Sequence, residues 1–128
     1  MDTPTRVFVV MIRICGFGAV LLGAAFWLGY ARSLTQLHMA LGIGVVLSLW
    51  ILAALAWRDT SQRRLVAFAV FWGLLTWILG LTQTRLLPGS LHWLVQVVHL
   101  AVGGVAIMTG GRLANARVEH PTATARSA

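Results

Sequence analysis

Leu34–Trp57, LTQLHMALGIGVVLSLWILAALAW, is the stretch that decides the fold: twenty-four residues without one charged side chain. A helix of about 20 apolar residues spans the hydrocarbon core of a bilayer, so this segment reads as a membrane helix. Val7–Tyr30, Leu65–Leu81 and Leu91–Met108 have the same apolar character. The whole chain of 128 residues is 59% hydrophobic and 10% charged, with a mean hydropathy of +0.83. That composition departs from soluble domains and leaves little chain outside the spans. A soluble catalytic domain is excluded, and any chemistry must sit within or at the edge of the bilayer.

The expected architecture is all-α: an integral membrane, antiparallel four-helix bundle over residues 1–111, with helices at about 7–30, 34–57, 65–84 and 90–110. Pro88 prevents the third helix from continuing, and Ser90 is suited to cap the fourth. Gly110-Gly111 reads as the stop of helix four, with residues 112–128 a polar, poorly ordered tail. The small residues Gly23-Ala24-Ala25 resemble a signal-peptide cleavage site, but the apolar run continues past them, so a retained first helix is expected. The single cysteine, Cys15, reads as a packing residue.

The net charge of +7 comes from ten arginines and no lysine. Nucleic acid is not the expected partner, because the arginines are sorted by loop. Arg6, Arg13, Arg58, Arg63, Arg64, Arg112, Arg117 and Arg126 fall on one side of a four-span topology, and Arg32 and Arg85 on the other. Cytoplasmic loops carry such an excess. The expected topology has both termini inside, in a bacterial inner membrane, with the basic residues near anionic lipid headgroups.

His38-Met39-Ala40-Leu41-Gly42 and His99-Leu100-Ala101-Val102-Gly103 repeat one pattern in helices two and four. Phe26-Trp27-Leu28-Gly29 loosely echoes Thr76-Trp77-Ile78-Leu79-Gly80 in helices one and three, consistent with an internal two-helix repeat about an axis along the membrane normal. An ionisable residue inside a membrane helix is costly and generally functional. A glycine four residues on clears the same face, leaving room for a flat ligand beside the imidazole. His92, Gln96, His99 and Gly103 form one stripe on helix four.

Three readings compete for these residues. The histidines join helices by hydrogen bonds; or His38 and His99 clamp a metalloporphyrin, with Gly42 and Gly103 giving clearance; or His92 and Gln96 line a quinone pocket or proton path, which is compatible with the second. Depth strains the second. His38 lies 20 residues before Arg58 but His99 only 13 before Arg112, and seven residues of helix are about 10 Å. Two axial nitrogens on one iron must come within about 4 Å of each other. His92, 20 residues before Arg112, is the substitute ligand, or else a partner for a propionate.

Gly73-Leu74-Leu75-Thr76-Trp77-Ile78-Leu79-Gly80-Leu81, then Pro88 and His99-Leu100-Ala101, resemble one four-helix half of the heme A synthase family. The resemblance implies a b-type heme held by histidines of the second and fourth helices, here His38 and His99. The chain departs from that family in corresponding to one half instead of two, and in having Gln36 but no Asp or Glu within any span. Methyl oxidation of heme is therefore not expected. The function expected is one-electron transfer through a bis-histidine heme b, quinol-linked, with Arg32 or Arg85 pairing with propionates, in a homo-oligomer or a subunit of a larger complex rather than a stand-alone enzyme. The alternative is a cofactor-free accessory subunit of a larger membrane complex, for which the six tryptophans and abundant glycine are equally suited.

Overall fold

A computed structural model describes residues 2–119. Its four helices are α1 (Thr3–Trp27), α2 (Thr35–Ala56), α3 (Arg63–Thr82) and α4 (His92–Glu119), with short 3-10 turns at Arg32–Leu34, Thr60–Gln62 and Gln83–Arg85. Each helix, with its flanking turn where there is one, offers 25 or 26 residues containing an 18-residue window of mean hydropathy 1.6 to 2.4, long and apolar enough to cross a membrane. Only 17 to 39% of each apolar window is buried inside the bundle. So much exposed apolar surface requires a lipid environment or a protein partner.

The helix ends follow local chemistry. Pro4 sits in the first turn of α1, where its missing N–H costs nothing. The expected continuation of α1 to Tyr30 fails because Gly29 turns left-handed (φ 86°). There Gly29 N–H donates to the Phe26 carbonyl and Tyr30 N–H to the Ala25 carbonyl, the paired bonds of a Schellman cap. Between α2 and α3, the Asp59 carboxylate accepts from Ser61 N–H at 2.9 Å, Ser61 Oγ at 2.6 Å and Gln62 Nε2 at 2.9 Å. Asp59→Ala removes all three bonds and is expected to lower stability by about 1 kcal/mol, measurable as a drop in melting temperature in detergent.

The fourth helix does not stop at Gly110-Gly111, as the sequence predicts, but runs through them to Glu119. Gly110 is buried, and a Cβ there would lie 2.6 Å from Ile12 Cδ1 and 3.6 Å from Leu52 Cδ1. Its lack of a side chain serves a close approach of α1 and α2 to α4, not a chain reversal. Residues 112–119 of the expected tail are therefore helical, and residues 120–128 lie outside the described residues.

α2 and α4 pack against each other and against both α1 and α3, whereas α1 and α3 share no comparable interface. The core is unevenly distributed. Val9, Ile12 and Cys15 of α1, Val45, Leu49, Leu52, Ala53 and Ala56 of α2, Val66 and Ala69 of α3, and Ala106, Leu113 and Ala114 of α4 form one buried cluster. These positions occupy the first part of α1 and α3 and the second part of α2 and α4. Cys15 belongs to it as a packing residue, its Sγ against Gly44. The opposite parts of the helices, which carry His38 and His99, add few fully buried side chains.

Candidate functional site

His38 lies in the first turn of α2 and His99 in the second turn of α4. Their rings meet across the α2–α4 interface, with centroids 6.4 Å apart and planes inclined at 55°. Two imidazoles on one metal have ring centres about 6 Å apart, from about 2 Å per metal–nitrogen bond plus a ring radius on each side. Both side chains are half-buried. Nδ1 of each is fully buried and makes no hydrogen bond, although the Ala19 backbone of α1 is within interacting range of the His38 ring. A buried polar atom without a partner costs about 1–3 kcal/mol; the Ala19 contact of His38 is the kind a helix-joining role would use, whereas the Nδ1 of His99 has no such partner.

The depth mismatch has a structural resolution. Because α4 continues past Arg112, that arginine does not mark the same level as Arg58. The Ile12–Leu52–Gly110 contact gives a better reference: His38 lies 14 residues from Leu52 and His99 lies 11 from Gly110. The remaining three residues amount to about 4.5 Å of helix, a distance that tilt and side-chain reach absorb.

The walls are set by glycine and one aromatic ring. A Cβ on Gly23 of α1 would stand 3.5 Å from Cε1 of His38, and one on Gly80 of α3 would stand 3.7 Å from Cε1 of His99. Each imidazole thus rests against a glycine of the helix preceding its own. Gly80 belongs to the sequence echo, but its counterpart in α1 is Gly23, not Gly29, which forms the helix cap. Phe26 presents an edge to His38 at 5.4 Å. Neither Gly23 nor Phe26 is marked by the histidine pattern, because both act across a helix interface.

Gly42 and Gly103 stand one turn beyond the two histidines, and a Cβ on either, or on Gly104, would have nothing within 4 Å. The space at these glycines is therefore open. His92 is engaged elsewhere: its Nδ1 lies 3.2 Å from the Leu86 carbonyl, tying the start of α4 to the preceding connection. Gln96 is half-buried between His92 and His99 along the stripe. Arg32 and Arg85 are exposed in the 3-10 turns before α2 and after α3. Thr76 donates to the Trp72 carbonyl at 2.7 Å, satisfied within its own helix.

Among the described residues there is no group of three or more His, Cys, Asp or Glu side chains placed to hold a metal ion. The His38–His99 pair offers two ligands, which suits a metal whose equatorial positions are filled by a macrocycle. No protein family matches the sequence, and neither does any curated protein or solved structure.

Proposed function

We propose that this chain is a multi-pass protein of a bacterial inner membrane, with antiparallel spans and both termini cytoplasmic, that binds a b-type heme between His38 and His99 and carries single electrons. The observation that supports this reading is the meeting of the two rings at 6.4 Å with both Nδ1 atoms unpartnered. The open space at Gly42 and Gly103 and the sparse packing of that half of the bundle agree with it. Histidine ligands commonly donate their second ring N–H to a carbonyl, which fixes tautomer and orientation; for His38 the Ala19 backbone is at hand. When bound, heme supplies a one-electron centre whose potential is set by its axial ligands, their hydrogen bonds and burial. Arg32 and Arg85 supply cationic forks for the propionates. A quinol is the proposed donor class, with Gln96 as the half-buried amide on the stripe that leads to His99.

The test is an optical spectrum of the protein purified in mild detergent from heme-sufficient cells. A Soret band, with sharp α and β bands on dithionite reduction and a b-type pyridine hemochrome, is expected at about one heme per chain. His92→Ala should keep the heme content within about twofold, because His92 is held by a backbone carbonyl and not by the pair. A colourless protein recovered in stoichiometric association with a larger membrane complex overturns the proposal in favour of an accessory subunit.

A further inference from the structure

A second feature lies at the tightly packed end, apart from the histidines. Trp50, Ala53, Ala54 and Trp57 of α2 and its end, with Val66 and Val70 of α3, line an open groove of about 360 Å³. The α2 residues are spaced i, i+3, i+4, i+7 and form one face. On α3, Arg63, Val66 and Val70 are likewise spaced i, i+3, i+7, so Arg63 stands at the end of the stripe that forms the groove wall. Arg58 directly follows Trp57, and Arg58, Arg63 and Arg64 are all exposed. The floor is small: Ala53 and Val66 are 2% and 1% exposed, while Ala54 and Val70 remain open to the outside. The Trp50 wall is fixed, since its indole is stacked on Trp77 at 6.0 Å with planes 5° apart and packs against Gly73, where a Cβ would lie 2.3 Å from Nε1.

We propose that this groove holds one anionic phospholipid, its acyl chain along Ala53, Ala54, Val66 and Val70 and its phosphate at Arg63 and Arg58. The apolar channel excludes water-soluble anions as the whole occupant, and the arginines select for negative charge. Trp57, 65% exposed at the end of α2, is an amphipathic side chain of the kind found at headgroup level. The inference depends on the chain residing in a membrane and not on heme.

Native mass spectrometry of the full chain tests it, with phosphatidylglycerol or phosphatidylcholine added in equal amounts. Phosphatidylglycerol adducts should exceed phosphatidylcholine adducts by about tenfold, from one or two arginine contacts. Arg63→Gln should abolish the preference and Arg63→Lys should keep most of it. Ala54→Leu, which fills the groove from its exposed side, should lower retention of both lipids without lowering the melting temperature. Equal retention of the two lipids, a preference that survives Arg63→Gln, or displacement by inorganic phosphate each overturns the proposal. Dimerisation that Ala54→Leu abolishes also overturns it, assigning the groove to a second copy of the chain. The heme spectrum should be unchanged in all three variants, so failure here is distinct from failure of the heme proposal.

Discussion

His38→Ala and His99→Ala are each expected to lower heme content more than about 100-fold, because losing even a hydrogen-bond partner of a metal-bound histidine costs 10–100-fold in affinity. The two rings face each other across a single interface, so neither can be replaced by the other, and His92 is committed to the Leu86 carbonyl. The apoprotein should barely notice the change. Nδ1 of His99 makes no hydrogen bond, so its removal leaves no new orphan behind, and His38→Ala gives up only the Ala19 backbone interaction. Heme stoichiometry and apoprotein melting temperature, measured on the same preparations, separate loss of a ligand from loss of fold. Bleaching by His92→Ala with retention in His99→Ala would reassign the second ligand and refute the pairing described here.

Gly103→Leu should produce the opposite combination, a protein at least as stable but without heme. Glycine in a helix interior is less stable than alanine by about 0.5–1 kcal/mol, and nothing lies within 4 Å of an added Cβ at Gly103 or Gly42. A side chain at either position therefore gains helix propensity without its Cβ meeting a neighbour, and the bulk of leucine would compete with a macrocycle proposed to lie there. Heme content is expected to fall at least about tenfold, equivalent to about 1.4 kcal/mol, with an equal or higher melting temperature. Gly73→Ala is the contrasting control. Its Cβ would stand 2.3 Å from Trp50 Nε1, so it should destabilise the bundle by about 1–3 kcal/mol through overpacking. Full heme content in Gly103→Leu and Gly42→Leu would show that no macrocycle lies against those faces.

The four spans are legible in the sequence because uncharged runs of this length allow few structures besides helix in a bilayer. Where each helix ends is less so, since one residue type serves two purposes. Gly29 terminates α1 through a left-handed cap, whereas Gly110 continues α4 because Ile12 and Leu52 need the space. Only the neighbours distinguish them. That ambiguity propagated to the candidate site: taking Gly110-Gly111 as a stop put Arg112 at the level of Arg58 and favoured His92 on depth. The pattern of His38, His99, Gly42 and Gly103 was readable because it follows helical spacing. Phe26 and Gly80 stand in the echo of helices one and three, but their contact with the imidazoles, like that of Gly23, runs between helices and leaves no mark in the sequence. The crowding of the core toward one end was equally hidden, since the apolar residues of both ends look alike until it is known which face a partner and which face outward.

The arrangement of the helices in cross-section bears on how steadily any bound centre would be held. Among the described residues α2 and α4 each pack on three neighbouring helices, whereas α1 and α3 each have two substantial ones. The ring-to-ring spacing is therefore set between the two helices that each border all the others. In the proposed heme protein, ligands carried by these two helices would be braced from both sides, which would limit the reorganisation accompanying electron exchange.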